Sequence, residues 1–258
     1  MNRTDLLSRK TVLPALAFVG FNLLWELGVS AADIEPYILP PPSEILLALS
    51  EEYPLILEQL LISLTEFAVA FSMTVVFGYL LAAVLSQWKT LEMIVYPYVI
   101  VAKSIPVITL LPVFILWIGF GFPSIVTISF LISFFAMVVN SLSGFKSTDE
   151  EYVEMIRSFS GSRWDVFRHV HLYSSLPSVF AGIKICVILT FTGVIVGEFQ
   201  IGTEGIGYLI IDYTNSYATA EMFASILVIS VTGLVLFGIV VLVERRVVSW
   251  KSGSAAGL

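Results

Sequence analysis

Six apolar runs divide this chain, at about residues 12–29, 63–86, 93–118, 123–143, 177–199 and 222–243. Each approaches or exceeds the roughly 20 residues that carry an α-helix across a bilayer. Lipid offers no partner to open backbone groups, so runs of this length are restricted to helices that satisfy their own hydrogen bonds. The chain is 57% hydrophobic and 13% charged, whereas soluble domains carry about 25% charged residues. The predicted fold class is therefore an all-α polytopic membrane protein with six transmembrane helices. No small-residue cleavage site follows the first run, which is expected to stay as a helix.

Basic residues orient the helices, because Lys and Arg favour the cytoplasmic flanks of membrane spans. Arg3, Arg9 and Lys10 precede the first run, and residues 30–62 hold six acids but no Lys or Arg. Lys89 lies in the 87–92 turn, and the 119–122 turn has no basic residue. The 144–176 loop carries Lys146, Arg157, Arg163 and Arg168; residues 200–221 carry none; Arg245, Arg246 and Lys251 close the chain. This alternation places both termini and the 144–176 loop of a multi-pass membrane protein in the cytoplasm. It divides the chain into three. Residues 1–59 form a tail, the first span and an extracytoplasmic segment; 60–245 form a five-helix core; 246–258 form a cytoplasmic tail. The formal net charge of −7 fits either adaptation to high salt, where acidic surfaces stay hydrated, or drift in loop composition.

The third run is interrupted by Pro97, Pro106 and Pro112. Each proline removes a helix hydrogen bond, so this helix is expected to bend and to line a cavity. Lys103 lies deep in it, just before Ser104 and Pro106, where a charge costs about 2.5–3.5 kcal/mol at bilayer centre. Lys103, Ser104 and Pro106 are pathway candidates; alternatively, Lys103 faces inward onto carbonyls freed by the break. Lys184, a few residues into the fifth run, is expected to snorkel to the interface.

The longest polar stretch is EYVEMIRSFSGSRWDVFRHVHLYSSLP, Glu151 to Pro177. Thr148-x-x-Glu151 has the form of a capping box, with Met155, Ile156 and Phe159 as one apolar face. Ser160–Gly161–Ser162 stops that helix. Ser162 with Asp165 can cap a second, whose face is Trp164, Phe167, Val170 and His171. A connection of about thirty patterned residues presents a surface: either a helix pair in the membrane interface or a plug for a groove on a soluble partner.

This stretch resembles the EAA loop of ABC importer permeases, E-A-A-x3-G-x9-I-x-L-P. Glu154 takes the acidic position, Met155 and Ile156 the alanines, Ser160 the glycine, Val170 the isoleucine and Leu172 the leucine. Tyr173 stands where the first proline would be, Gly161 follows the glycine position, and Leu176–Pro177 supplies a second Leu-Pro. GSRWDVFRHV, SIPVITLLPVFILWIGFG, ILPPPSEI and VGEFQIGTEGIGYLI are similar, in order, to segments of the nitrate/sulfonate/taurine branch. The resemblance implies a type I importer permease fold with a cytoplasmic coupling-helix loop. It implies that Glu154, Met155, Ile156, Phe159, Ser160, Gly161, Arg163, Trp164 and Leu172 meet a cytoplasmic ATPase. It also implies partners: a second copy of the chain, two ATPase subunits holding ATP and Mg, and an extracytoplasmic binding protein that delivers a small solute. This chain itself would hold no cofactor or metal and would be no enzyme, and nucleic acid is no expected partner. The family's solutes include nitrate, sulfonates, taurine, bicarbonate and vitamin-precursor pyrimidines.

Glu198, matching the family's glutamate, is expected either to line the outer vestibule or to be a solvated helix-end acid. The glycines of GTEGIG, Gly202 to Gly207, read as a re-entrant turn with close backbone packing. Glu26 and Glu66 read as interfacial. His169 and His171 lie two apart and point to different sides of a helix, so no metal site is expected. No G-x-x-x-x-G-K-[ST] segment occurs, so ATP hydrolysis belongs to another chain. Cys186 reads as a small buried apolar residue. The competing class is a self-sufficient secondary transporter, which would call for paired intramembrane charges and inverted repeats. A membrane enzyme would need clustered His, Asp or Glu within the spans.

Overall fold

The computed structural model describes residues 3–249, with side chains from residue 12 onward. Lys251 and most of the 246–258 tail lie outside the described residues. Ten helices follow one another: α1 (Arg3–Ala31), α2 (Pro42–Gln87), α3 (Lys89–Ser104), α4 (Leu111–Ile118), α5 (Phe122–Lys146), α6 (Glu150–Ser158), α7 (Arg163–Val166), α8 (Leu172–Ile201), α9 (Ile206–Asn215) and α10 (Thr219–Val247). The described residues contain no strand. Five unbroken helical stretches are long and apolar enough to cross a bilayer; α3 with the segment 107–118 makes a sixth when counted as one bent span. That bend is 86°. Pro106 stands between the pieces, where the helix loses a donor and the backbone turns extended at Ile105.

Two helices run further than hydropathy suggests. α2 is 46 residues long, or about 69 Å at 1.5 Å per residue, more than twice the bilayer core. It begins at Pro42, whose fixed φ suits a first helical position. Four of the six acids of the 30–62 stretch, Glu44, Glu51, Glu52 and Glu58, thus lie in the first turns of α2, and residue 59 falls in mid-helix. The carboxyl of Glu26 in α1 accepts from Ser43 N (3.0 Å) and Ser43 Oγ (2.6 Å), so it holds the first turn of α2. The second long unit is 163–201, where α7 passes through a π-helical turn, Phe167–His171, into α8 without a break.

The core lies where α5 packs between α2 and α8. Small residues permit that approach, as in other membrane bundles. Gly182, Gly193 and Gly197 of α8 face Asn140, Ser129 and Ile125 of α5, with no space for a Cβ at Gly182 or Gly193. Between α2 and α5, Thr74 Oγ1 and Ser133 Oγ are 2.7 Å apart. Cys186 is fully buried in this core, as expected. α1 stays at the margin, with Phe18, Phe21 and Leu24 exposed.

Lys184 does not snorkel away alone. Its Nζ meets the Glu244 carboxyl of α10 at 2.8 and 3.1 Å. Lys146 and Glu92 form a second ion pair, joining the end of α5 to the start of α3.

Candidate functional site: the polar loop and the glycine clasp

The loop between α5 and α8 is built in two unequal parts. The second part is anchored. Ser162 Oγ accepts from Asp165 N (3.2 Å), and Asp165 Oδ2 accepts from Ser162 N (2.9 Å), a reciprocal capping box. The Ser162 hydroxyl, which also donates to Asp165 Oδ2 (2.6 Å), and then the Ser162 amide hold the Asp165 carboxyl below the ordinary carboxylate range. Phe167 and Val170 are buried. Phe167 stacks on Trp164 and also meets Phe145 of α5, at ring separations of 5.6 and 5.7 Å. Thr148 Oγ1 lies 2.8 Å from Ser174 Oγ and 3.0 Å from His171 Nδ1. Thr148 Oγ1 also donates to Phe145 O (3.1 Å) in the last turn of α5, so Thr148 ties the two ends of the loop together instead of capping α6. The expected capping box over 148–151 does not form: α6 begins at Glu150, behind Asp149, with no side-chain cap.

The first part, α6, buries none of its residues. It is held by its C-terminal turn. Gly161 N donates to Ile156 O (3.0 Å) and Ser160 N to Arg157 O (2.9 Å), the paired bonds of a Schellman motif. Ser160 has φ 61° and occupies the left-handed position that usually falls to glycine. Gly161 is needed for another reason: a Cβ there would lie 2.5 Å from Ile156 Cγ2 and 2.7 Å from Ile156 O.

The loop residues singled out from the sequence are divided by this geometry. Phe159 is 82% exposed, Trp164 65% and Met155 49%, and Glu154 is exposed beside them. Large apolar side chains so exposed on a polar loop mark an interaction surface. Ile156 is half-buried against the turn. Leu172 packs into the cluster of Phe145 and Phe167, so it belongs to the bundle rather than to that surface. Arg163 is exposed and lines a cavity toward the end of α2.

At the opposite end of α8 the chain folds back, and Glu198 is central to the fold-back. Glu198 is 1% exposed; it is neither a solvated helix-end acid nor on an open vestibule wall. Its carboxyl accepts from Ser63 Oγ (2.5 Å) and from Gly207 N (2.6 Å). Ser63 Oγ accepts from Ile206 N (2.9 Å), and Gln59 Oε1 accepts from Gly205 N (2.7 Å). The first amides of α9 have no partner within their own helix. Three are satisfied here in order, by two side chains of α2 one turn apart and one of α8. The turn expected in GTEGIG is present, and Gly205 has φ 101°. Glu66, expected at an interface, is 3% exposed and adjoins Glu198.

At the bend of the third span, Lys103, Ser104 and Pro106 are all exposed. Ser104 Oγ donates to Ile100 O (3.1 Å). Lys103 has no ion-pair partner among the described residues.

A family model for the inner membrane component of binding-protein-dependent transport systems matches residues 74–249. This chain belongs to that family. It is 31% identical to the formylaminopyrimidine transport permease protein ThiX of Halalkalibacterium halodurans over 248 residues, covering 95% of this chain and 98% of that protein. It is 26% identical to the nitrate import permease protein NrtB of a Synechocystis strain over 255 residues, covering 93% of this chain and 90% of that protein. Among solved structures, the inward-facing MetNI methionine ABC transporter matches with a TM-score of 0.68 at 16% identity. That match covers 76% of this chain and 98% of the other. The fold is that of the ABC importer permeases.

Within this permease, Ser160 offers a simple check on the turn. A side chain in the left-handed region costs about 1–2 kcal/mol, while glycine gives back about 0.5–1 kcal/mol in chain entropy. Ser160→Gly is therefore expected to keep the turn and the thermal stability of the purified protein, and Ser160→Val to lose the turn. Equal α6 protection of both variants in hydrogen exchange would refute the assignment.

Proposed function

We propose that this chain is the translocation subunit of an ATP-driven importer, working as a homodimer with two ATPase subunits and an extracytoplasmic binding protein. The observation that carries the proposal is the joining of the loop to α8. Residues 163–201 form 39 residues of continuous helix, about 58 Å long, against the ~30 Å bilayer core. Its first part projects as the base of the exposed Met155, Phe159 and Trp164 surface, and its far end carries the Glu198 clasp. An ATPase docked on Met155, Phe159 and Trp164 would move α8 as a lever, and α5 packed along it. A bent third span at Lys103, Ser104 and Pro106 supplies the second element whose two arrangements alternate access.

The test is reconstitution in vesicles. Uptake is expected only with the ATPase subunits, the binding protein and ATP together. Uptake by this chain alone, driven by an ion gradient, would establish the secondary-transporter alternative.

For the solute, a vitamin-precursor pyrimidine is favoured over an inorganic anion. The likeness to ThiX is at 31% identity, against 26% for the nitrate permease NrtB over a similar share of both chains. In addition, Lys184 is neutralised by Glu244, which leaves Lys103 as the unpaired deep cation among the described residues. Labelled formylaminopyrimidine should enter the complete system, and excess nitrate should not compete. Competition by nitrate would reverse this assignment.

A further inference from the structure

Where the α2–α3 turn faces the polar loop, a cavity of about 460 Å³ opens between them. Its walls include Gln87, Lys89, Arg157, Arg163 and His171, and no Asp or Glu. The two ion pairs among the described residues are Lys146–Glu92 and Lys184–Glu244. Lys89, Arg157 and Arg163 therefore converge on one space without a counter-charge. Arg157 closes α6 and Arg163 opens α7, so the Ser160 turn delivers both to the same side. Lys89 and Thr90, the first two residues of α3, also line the cavity, which brings the positive end of that helix to its edge. Burial first, and then the charge of Arg157, push His171 below its ordinary value, so the imidazole adds little further charge there near neutrality.

Depth identifies the anion. One residue, Trp88, separates α2 from α3, so this turn joins two spans directly, which keeps it near the level of the lipid headgroups. Trp88 is 57% exposed, as suits an aromatic side chain at that level. By the basic-residue alternation this is the cytoplasmic leaflet, whose surface is negative when it carries anionic lipid. Guanidinium groups match phosphate oxygens in two-pronged hydrogen bonds. We propose that the cavity holds the phosphate of an anionic phospholipid, bound by Lys89, Arg157 and Arg163. A lipid there ties the α2–α3 turn to the α6–α7 turn and sets the angle at which the loop meets its partner. The proposal rests on orientation and geometry and stands apart from the solute assignment.

Native mass spectrometry of the full chain in detergent tests it, with phosphatidylglycerol, phosphatidylcholine and inorganic phosphate as probes. Phosphatidylglycerol is expected to bind in preference to phosphatidylcholine. Each cation near a membrane surface contributes about 1 kcal/mol, roughly fivefold in affinity, so Arg157→Gln with Arg163→Gln should weaken binding about twenty-five-fold. Arg157→Lys with Arg163→Lys should retain most of it. Arg245→Gln with Arg246→Gln, changing exposed cations elsewhere at the same end of the bundle, should leave it unchanged. Equal binding of the two lipids overturns the proposal, as does equal weakening by the Arg245/Arg246 pair. Displacement of the lipid by inorganic phosphate at comparable concentration overturns the lipid as source. A glutamine pair that keeps its lipid but no longer assembles with the ATPase assigns the cations to acidic side chains of that subunit instead.

Discussion

Glu198→Ala should fail to yield a stable, monodisperse protein, although it removes a single side chain near the end of a span. The substitution leaves the Gly207 amide without its acceptor and the Ser63 hydroxyl with only its longer bond to Gln59 O (3.3 Å), in a place 1% exposed to solvent. A buried unsatisfied group costs about 1–3 kcal/mol, and the Gly207 amide alone loses that much before the cavity left by the glutamate side chain is counted. Whole proteins are stable by only about 5–15 kcal/mol. The loss also spreads. Ser63 holds Ile206 N while Gln59 holds Gly205 N, so a displaced Ser63 frees the start of α9, and α9 closes the space between α2, α8 and α10. Gly207→Ala should reach the same end from the opposite cause, because its Cβ would sit 2.7 Å from Glu198 Oε2 and 2.8 Å from Ile195 O. Glu66→Gln is the control: Glu66 adjoins Glu198 but Glu66 Oε2 has no hydrogen-bond partner, so an amide there should be tolerated. The measurement is thermal unfolding followed by size-exclusion chromatography in detergent. A melting temperature in Glu198→Ala equal to wild type would mean that the clasp does not hold the fold.

What the sequence disclosed and what it hid follow from the range of each signal. Apolar run length is a local quantity, and it located the five unbroken spans and the bent segment over 93–118. Proline chemistry is also local, and it located the bend at Pro106, though not its 86°. The Ser162–Asp165 cap was legible because both partners lie three residues apart. Glu198 was not: its partners Ser63 and Gly207 are 135 and 9 residues away, and a lone acid at the end of an apolar run looks solvated until the chain is folded. The glycines at 202, 205 and 207 were the available sign that something approaches the backbone there. Hydropathy likewise misplaced the start of α2, since amphipathic turns before the bilayer look like a separate segment. The α5–α8 contact left a trace that periodicity alone could have found, with Gly193 facing the buried Ser129 and, one turn on, Gly197 facing Ile125. The separation of Leu172 from the exposed surface had no such trace, because both belong to one motif and part only when α7 runs on into α8.

Gly161→Val should uncouple transport while sparing the fold, the reverse of the Glu198 phenotype. The Cβ would press on Ile156 Cγ2 and on the Ile156 carbonyl at 2.5 and 2.7 Å. The second of these is backbone and cannot rotate away. The turn must open, and the Gly161 N–Ile156 O bond that closes it must stretch or break. Overpacking of this kind costs about 1–3 kcal/mol. Little of that cost reaches the bundle, because α6 buries none of its residues while α7 stays anchored by the Ser162–Asp165 box and by Phe167 on Phe145. The strain is relieved by swinging α6, which carries Glu154, Met155 and Phe159 away from Trp164. A partner groove that must accept all four at once loses at least that strain in docking, about tenfold or more in affinity since 1.4 kcal/mol is tenfold. The expected result is a normal melting temperature, normal insertion and solute uptake reduced by about tenfold in vesicles holding the ATPase and binding protein. Ser160→Gly in the same assay should behave as wild type. Full uptake by Gly161→Val would show that the angle between α6 and α7 does not carry the coupling, and would shift that role to the anchored half of the loop alone.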